Sequence, residues 1–385
     1  MKPMPCRVLL AGGGHSHVEV LRRFARDPDP HVALTLVSPD ADTAYSGMLP
    51  GLVAGLYTHR DTHIALPPLA AAARAAWIAD RVVALDPGAR SVTLGSGARV
   101  AFDLVSLDVG SVPDSSVRGA REHAIPVKPV AAFLDAWDRL RAQAAAGMLR
   151  RLVVVGGGAG GVEILLAMQA RLVRELGHRT PAFALCTDQR EILVQHPALV
   201  RARFAATLAE RGVQVHAGRA VTEVEPGRVH LADGTTVDAD AVVWATAASA
   251  PAWLAASGLA CDPRGFVRVD EHLRSPSHPC VFAAGDCATE DGHPRPKAGV
   301  FAVRQGPPLA ANLRRAAHGQ PLRRFVPQRE ALALITTGDR HAIATRGPFV
   351  AEGRWVWRWK DRIDRRFMAK YAMAGAIPSP ADAPP

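Results

Sequence analysis

The sequence predicts an α/β fold with two nucleotide-binding units and a smaller C-terminal part. Two short apolar strands each run into a glycine-rich turn and a helical pattern, within residues 7–24 and 152–176. A third apolar strand, residues 281–284, is followed by Gly285 and Asp286. A strand, a glycine turn and a helix in this order form the phosphate-binding part of a Rossmann-like domain. The chain is therefore expected to contain two Rossmann-like domains.

Length and composition indicate a globular, cytoplasmic protein. The 385 residues are 48% hydrophobic and 21% charged, which is typical of a folded chain with two or three domains. No apolar run reaches the roughly 18 residues of a membrane-spanning helix, and the first residues lack the apolar core of a signal peptide. We therefore expect neither export nor a spanning helix.

Charge and cysteine content exclude two further classes of function. The net charge is +10, but only five of the 46 basic residues are lysines, and the arginines are scattered through an alanine- and proline-rich chain. This pattern indicates a compositional bias and not a nucleic-acid surface. The five cysteines include no close pair, so a disulfide framework is not expected.

The first glycine turn follows the strand that ends at Ala11. Gly12 allows the tight turn, and Gly14 lets the backbone approach a pyrophosphate at the helix N-terminus. His17 stands where the third glycine of the motif is expected, and His15 is expected to pack or to lie beside the phosphates. Taken alone, this turn remains compatible with an ordinary strand-to-helix connection.

The second glycine turn and the third strand strengthen the prediction. Gly156, Gly158 and Gly161 complete the dinucleotide motif, and Glu163 follows on the helix. Asp286 stands at the tip of an apolar strand, where a carboxylate suits the hydroxyl groups of a bound nucleotide. A helix N-cap is the alternative role for Asp286.

Together these stretches resemble the pyridine nucleotide-disulfide oxidoreductase family, in the branch of the type II NADH dehydrogenases. The chain is most similar to the oxidoreductases that are fused to the N-terminus of selenide, water dikinase. The resemblance is carried by Ala11 to His17, Tyr45 to Gly51, His123 to Pro129, Pro294 to Gly306 and Trp355 to Met368.

The resemblance implies two cofactors, FAD and NAD(P)H. It places the FAD pyrophosphate at the first turn, the ribitol at Asp286, the adenine at the Val82 backbone and the isoalloxazine beside the loop from Tyr45 to Pro50. The residues expected to bind FAD are Gly12, Gly14, His15, Ser38, Pro50, Val82, Gly285, Asp286, Lys297 and Ala298. Those expected to bind NAD(P)H are Gly156, Gly158, Gly161, Glu163 and Thr187.

Two residues are expected to act in catalysis. Glu163 would lie near the nicotinamide ribose. Lys297 precedes a helix, and a cation at a helix N-terminus favours the negative charge of a reduced flavin; a solvated surface lysine is the alternative. No metal site is expected, because the fifteen histidines show no ligand spacing with cysteines or carboxylates.

Three departures from the family pattern leave questions open. Ser38 and Thr187 replace the acidic residues that many relatives place at the ends of the second strands. Because Thr187 lacks a charge while Asp188 follows it, the choice between NADH and NADPH stays open. Asp108 stands where relatives often carry Ala-Thr-Gly, and the sequence supplies no mechanism for it.

The C-terminal part contains a basic, aromatic helix at residues 355–371. The pattern predicts one stripe formed by Trp355, Trp359, Ile363, Phe367 and Tyr371. Such a helix fits peripheral contact with the inner face of the cell membrane. Packing on its own domain, or on a second copy in a homodimer, stays an alternative.

These patterns predict four segments. They are an FAD-binding domain at residues 1–122 and 266–327, an NAD(P)H-binding domain at 123–265, an α+β extension at 328–376 and a disordered tail at 377–385.

The expected reaction is hydride transfer from NAD(P)H to FAD, followed by electron transfer to a small acceptor, with a quinone favoured. Disulfide and sulfide acceptors are disfavoured because residues 46–57, where a dithiol reductase carries its redox pair, lack cysteine. Two alternatives stay open. One is a flavin reductase of selenium or sulfur metabolism, and the other is an FAD-bound redox sensor or scaffold.

Overall fold

The computed structural model describes residues 4–372, apart from residues 115, 247, 294, 296 and 329. The predicted tail at 377–385 lies outside these residues. The first part of the chain begins with the predicted strand, turn and helix. Its strands are β1 (Cys6–Ala11), β2 (Val32–Val37), β3 (Asp42–Ala44), β4 (His63–Ala65), β5 (Ala76–Ile78), β6 (Val82–Asp86), β7 (Ser91–Leu94), β8 (Arg99–Ala101), β9 (Leu104–Leu107) and β10 (Val112–Pro113). Its helices are α1 (His15–Arg26), α2 (Leu49–Val53), α3 (His59–Thr62), α4 (Leu66–Ala72) and α5 (Ala120–His123).

The middle part repeats the strand–turn–helix order of the first. Its strands are β11 (Ile125–Pro126), β12 (Arg151–Val155), β13 (Ala182–Cys186), β14 (Gln214–His216), β15 (Val221–Glu225), β16 (Arg228–Leu231), β17 (Thr236–Asp238), β18 (Ala241–Trp244) and β19 (Ala248–Ser249). Its helices are α6 (Val130–Ala145), α7 (Ala159–Leu176), α8 (Ala198–Glu210) and α9 (Ala252–Ala256).

The last part returns to the first unit and then forms an extension. Its strands are β20 (Val267–Val269), β21 (Val281–Ala283), β22 (Ala288–Glu290), β23 (Ala333–Thr336), β24 (Ala342–Arg346) and β25 (Phe349–Gly353). Its helices are α10 (Gly299–Ala317) and α11 (Arg354–Met368). Single 3-10 turns lie at Ser46–Met48, Gly177–Arg179 and Gly285–Cys287.

Two parallel five-stranded sheets confirm the predicted α/β, Rossmann-like architecture. The first has the order β21-β9-β1-β2-β5 and the second the order β11-β18-β12-β13-β14. The central strands β1 and β12 are apolar and buried after Arg7 and Arg151 respectively, as is typical of parallel strands covered on both faces. Since β21 joins the first sheet from far along the chain, the first unit is discontinuous. The domain boundaries given above stay a prediction.

Each unit also carries an antiparallel three-stranded sheet. The first unit has β6-β7-β8 and the second has β15-β16-β17. A short antiparallel pairing of β10 with β19, through Val112 and Ser249, joins the two units where the chain passes between them.

Apolar packing fastens the extension to the second unit. Ile335 and Ile343 of the extension share one buried cluster with Leu49 and Val53 of α2 and with the apolar face of α7. Each such side chain contributes roughly 1.5–3 kcal/mol on burial. Segments far apart in sequence therefore meet on one face of α7.

Helix α11 differs from the single aromatic stripe that the sequence predicts. Phe367 and Tyr371 are buried, whereas Trp355 is 55% and Ile363 is 39% exposed. Positions four apart on a helix drift by about 40° per step, so a run of five turns through roughly 160°. The stripe therefore winds from the outer face to the inner face. None of the helices in the described residues has the length and apolar character needed to cross a bilayer.

Candidate functional site

Asp108 lies at the carboxyl end of β9, against the N-terminus of α1. Its Oδ2 accepts hydrogen bonds from the backbone N–H of Ser16 at 2.8 Å and of His17 at 3.3 Å. The positive end of a helix favours a carboxylate. Burial outweighs these contacts and raises the pKa of Asp108 to about 7, with a smaller contribution from the charge of Asp286. A proton at this carboxyl is therefore available near neutral pH.

Three glycines surround Asp108. A Cβ at Gly14 would lie 2.2 Å from Cγ of Asp108, and one at Gly285 would lie 2.2 Å from Oδ1. Gly12, at a φ of +95°, would bring a Cβ within 2.3 Å of the Asp108 carbonyl oxygen. The Asp108 carboxyl group therefore requires glycine at position 14, which was predicted to approach a pyrophosphate, and at position 285, while the Asp108 backbone carbonyl requires it at position 12.

His17 links α1 to the sheet at the position of the missing third glycine. Its Nδ1 lies 2.7 Å from the Gly12 carbonyl and its Nε2 lies 2.8 Å from Ser106 Oγ. Because a carbonyl only accepts, Nδ1 carries the proton and Nε2 accepts from the serine. Burial lowers the pKa of His17 to about 4, which keeps the ring neutral. In the second unit the helix instead approaches directly, since a Cβ at Gly161 would lie 2.0 Å from the Gly156 carbonyl oxygen.

The second glycine turn presents a helix N-terminus to open space. Gly158 caps α7 without a side-chain hydrogen bond. A Cβ at Gly158 or at Gly160 would meet no described atom within 4 Å. An uncapped helix N-terminus with accessible backbone N–H groups binds phosphates. This turn therefore fits a pyrophosphate.

The rim beside the second turn carries both signs of charge. Thr187 is buried, and its Oγ1 accepts from the Gln189 N–H at 3.3 Å. Asp188 and Arg190 are exposed. The geometry leaves the question of NADH or NADPH where the sequence left it.

Asp286 is held by a lysine from the second unit. Lys128 Nζ donates to Asp286 Oδ2 at 2.6 Å and to Ser111 Oγ at 3.1 Å. The sequence analysis missed this contact, although lysines are rare in the chain. The bridge leaves Asp286 Oδ1 for a ligand hydroxyl.

Lys297 lies in the cavity that Gly285, Asp286 and Ala298 also line. Its Nζ donates to the Ala288 carbonyl and lies 4.0 Å from the centre of the Phe266 ring. Burial lowers the pKa of Lys297. Its expected role toward a reduced flavin stays a prediction.

The other residues predicted to bind FAD are spread along the same unit. Val82 is buried in β6 and Pro50 in α2, and Ser38 Oγ donates to the Asp40 carbonyl at 3.3 Å. His15 packs edge-on against Tyr45, with ring centroids 5.5 Å apart. Its buried Nε2 has no hydrogen-bond partner among the described residues, and burial lowers its pKa to about 4.

A buried polar group lies where α7, the loop before α2 and α11 meet. We name it the junction cluster; its members are Tyr45, Glu163, Thr336, Lys360 and Asp364. Glu163 Oε1 accepts from the Thr336 N–H at 2.7 Å. Burial raises the pKa of Glu163 to about 7, against the opposing charge of Lys360. Glu163, expected near the nicotinamide ribose, thus contacts the extension.

Lys360 and Asp364 form an ion pair inside the junction cluster. Lys360 Nζ donates to Asp364 Oδ2 at 2.5 Å and to the Gly47 carbonyl at 2.5 Å. Burial raises the pKa of Asp364 despite the lysine. Burial, followed by the Asp364 charge, also raises the pKa of Tyr45, which keeps the phenol neutral. The cluster therefore brings several groups that carry exchangeable protons into a largely buried environment.

The thiols lack the features of a redox pair. All five cysteines are free. Burial raises the pKa of both Cys186 and Cys287 to about 12, and Cys287 Sγ contacts the Ala284 carbonyl at 3.3 Å. Such thiols react slowly because the thiolate is the nucleophile.

Comparison with known proteins places these features in context. A family model described as pyridine nucleotide-disulphide oxidoreductase matches residues 6–306. An NADH dehydrogenase-like protein of Mycobacterium tuberculosis is 29% identical over 225 residues, which cover 55% of either chain. The mitochondrial internal alternative NAD(P)H-ubiquinone oxidoreductase A1 of Arabidopsis thaliana is 31% identical over 145 residues, 36% of this chain and 28% of that protein. The chain thus spans about half the length, or less, of these relatives.

A solved structure shares the fold along nearly the whole chain. The sulfide:quinone oxidoreductase of Aquifex aeolicus superposes with a TM-score of 0.79 at 19% identity, covering 95% of this chain and 91% of its own. At this identity the similarity shows the fold alone.

Asp108 should make the stability of the flavin-free protein depend on pH. Its folded pKa of about 7 lies above the ordinary 3.8, so the protonated form stabilises the fold, and this stability is lost as the pH rises through about 7. Asp108→Asn keeps a neutral side chain at all pH values. The unfolding midpoint of the variant, relative to wild type, should rise by roughly 2–4 °C from pH 5 to pH 8 in thermal melts.

Asp103→Asn is the matched control, because a hydrogen bond from Arg7 lowers the pKa of Asp103. Its removal should cost about the same stability at pH 5 and at pH 8, because the pair is charged at both pH values. A difference between Asp108→Asn and wild type that is equal at both pH values would contradict the assignment.

Proposed function

This chain belongs to the pyridine nucleotide-disulphide oxidoreductase family, and from this premise we propose that it transfers reducing equivalents from NAD(P)H, through FAD, to a quinone. The balanced reaction consumes NAD(P)H, one quinone and one proton, and it yields NAD(P)⁺ and one quinol. The hydride brings both electrons and one proton, so the second proton comes from the solvent.

FAD and NAD(P)H are the cofactors of the family, and the described residues fit them. The uncapped N-terminus of α7 suits the pyrophosphate of NAD(P)H. Asp286 with its Lys128 bridge suits ribitol hydroxyls, and the unpartnered Nε2 of His15 supplies a further polar contact. Bound FAD supplies a ring that accepts a hydride and passes electrons on.

Asp108 has a role beside the FAD pyrophosphate in this proposal. Its carboxyl already accepts the first N–H groups of α1, the groups that a phosphate also uses. Two negative groups at one helix N-terminus repel each other, whereas a protonated carboxyl does not. We therefore assign the protonated form of Asp108 to the flavin-loaded protein.

The observation that carries the quinone assignment is the two-sided character of α11. Its inner face supplies Lys360 and Asp364 to the junction cluster. Its outer face exposes Trp355 and Ile363, with Trp359 stacked on Trp355 at 6.4 Å between ring centroids. One helix thus connects a proton-holding interior with an exposed aromatic surface.

Basic side chains surround this aromatic surface. Arg358, Arg362 and Arg366 are exposed and follow one another at four-residue steps. Aromatic and arginine side chains on one helix face suit an anionic lipid surface, which is also where a lipid-soluble quinone resides. The proposal therefore includes peripheral attachment to the inner face of the cell membrane through α11.

In this proposal the junction cluster relays the solvent proton to the quinone. Burial raises the pKa of Glu163 to about 7, so this carboxyl can hold a proton near neutrality, and burial also raises the pKa of Asp364. Lys360 Nζ donates to Asp364 and can stabilise a developing negative charge on a quinone oxygen. The slow thiols of Cys186 and Cys287 argue against disulfide or sulfide chemistry.

Asp286→Ala should yield protein largely free of flavin, because it removes the carboxylate assigned to the ribitol. The flavin-to-protein absorbance ratio after purification measures occupancy. Asp291→Ala is the matched control, since Asp291 forms an ion pair with Arg268 on the surface. Full flavin occupancy in Asp286→Ala would exclude the ribitol role.

The proposed reaction predicts two separable half-reactions. Anaerobic mixing with NADH or NADPH should bleach the flavin band, and a short-chain quinone should restore it. Lys360→Met should slow reoxidation by at least about tenfold and leave reduction by NAD(P)H nearly unchanged, because the lysine belongs to the acceptor side. Stopped-flow absorbance at the flavin band measures both rates.

Asp364→Asn provides a second variant if Lys360→Met folds poorly. Flavin that neither nicotinamide reduces would refute the proposed function and favour an FAD-bound sensor or scaffold. Reoxidation by a selenium or sulfur compound but not by quinone would refute the quinone as acceptor and favour a flavin reductase of selenium or sulfur metabolism.

Trp355→Ser should weaken binding to vesicles that contain anionic phospholipid by several-fold, because it removes an exposed apolar ring from the outer face of α11. Vesicle co-sedimentation at low and moderate salt measures this. Phe349→Ser is the control, since Phe349 is 49% exposed in the same extension but lies on β25. Equal losses in both variants, or Trp355-dependent dimerisation without vesicle binding, would contradict membrane attachment.

A further inference from the structure

Three side chains of metal-ligating type lie together outside the proposed cofactor sites, on the antiparallel pair β3 and β4 and on α3. Asp42 comes from β3, His59 from α3 and His63 from the first position of β4. One ligand atom from each residue lies within 4.8 Å of the other two. The set joins two segments that the sequence separates, so a shared ligand would bind them together.

The distance between Asp42 and His59 has the length of a coordination edge. Asp42 Oδ2 lies 3.4 Å from His59 Nε2. A charge-assisted hydrogen bond between such atoms is shorter, at about 2.7–2.9 Å. Two ligands of a tetrahedral zinc ion, each about 2.0–2.2 Å from the metal, stand roughly 3.3–3.5 Å apart. The spacing therefore matches two ligands of one ion.

His63 is oriented as a metal-binding histidine. Its Nδ1 lies 3.0 Å from the His59 carbonyl oxygen, which only accepts, so Nδ1 carries the proton. Nε2 is left with a free lone pair. A ring N–H bonded to a backbone carbonyl is the usual outer contact of a zinc-binding histidine. The ring stacks face to face on His59, with centroids 3.6 Å apart and an 8° interplanar angle. Because an imidazole lone pair lies in the ring plane, one of the two rings has to rotate out of this stack for both to bind one ion.

Asp42 is available to bind a metal ion, because no arginine or lysine among the described residues pairs with it. Among the described residues, its ion pair is with His59, and the side chains of Asp42 and His59 are 39% and 44% exposed. A second candidate group, Glu223, Glu225 and His230, differs in this respect. There Arg118 pairs with Glu223, and His230 pairs with Glu225 at 3.0 Å. The second group is satisfied as ion pairs.

We propose that Asp42, His59 and His63 bind a divalent transition-metal ion of the zinc class, with water completing the coordination. Two imidazoles and one carboxylate favour zinc over calcium or magnesium, which prefer oxygen ligands. The sequence analysis expected no metal site, because it found no ligand spacing between histidines and cysteines or carboxylates. The fold brings Asp42 of β3 to His59 and His63, which stand four residues apart in sequence. The proposal is independent of the quinone reaction.

The metal would fasten the strand that leads into Tyr45. The Tyr45 N–H donates to the Thr62 carbonyl at 2.7 Å, between the two histidines in sequence. A metal ion across β3 and α3 would hold this connection, and thereby one edge of the junction cluster. The proposed role is structural, because the ion would join β3 to α3.

The test is titration of the full-length, flavin-loaded protein with zinc chloride by isothermal calorimetry, after chelator treatment. We expect about one zinc ion per chain and a dissociation constant at least about tenfold weaker in His59→Asn and in Asp42→Asn. His230→Asn is the control and should bind zinc as wild type does. Flavin content and circular dichroism establish that each variant is folded.

Cobalt chloride identifies the ligands independently. Cobalt bound to imidazole and carboxylate should give visible d–d bands without thiolate charge-transfer absorption in the near ultraviolet. A thiolate band, zinc affinity unchanged in both His59→Asn and Asp42→Asn, or a loss confined to His230→Asn would overturn the proposal.

Discussion

The first nucleotide unit depends on a carboxyl group buried at the N-terminus of α1. Asp108 satisfies the N–H groups of Ser16 and His17, and its volume requires that Gly14 and Gly285 lack side chains. One buried acid thus determines the turn, the start of the helix and the tip of β21. Because burial raises its pKa to about 7, the stability of the fold depends on pH through the same group.

The second organising feature is the meeting of three distant segments at the junction cluster. Hydrogen bonds join the loop before α2, helix α7 and the extension at this point. One of them runs from the Thr336 N–H of the extension to Glu163 of α7. Buried charges are costly unless they are paired, and Lys360 and Asp364 pair within α11. The hydrogen bonds from Lys360 to the Gly47 carbonyl and from the Thr336 N–H to Glu163 join the extension to the rest of the chain. The acceptor side of the proposed reaction is therefore built largely outside the two Rossmann-like units.

The sequence predicted what local patterns encode. Two glycine turns, Asp286 at a strand tip and the α/β class follow from short-range spacing, and family membership confirms the FAD and NAD(P)H cofactors. Contacts between distant segments were not predictable, which is why the pairing of Lys128 with Asp286 and the environment of Asp108 appeared only in the structure. The sequence pattern placed exposed and buried residues of α11 in one predicted stripe, because residues four apart drift around the helix axis.

The hydrogen bonds of His17 have a consequence for consensus engineering. Its ring connects the Gly12 carbonyl, in the turn after β1, with the Ser106 hydroxyl on β9. Restoring the usual glycine at position 17 would bring the motif closer to the family pattern on paper. It would also leave two buried polar groups unpaired, each at a cost of about 1–3 kcal/mol. In this chain His17 and Ser106 therefore belong together, and a glycine at position 17 should be introduced only with a compensating change at Ser106.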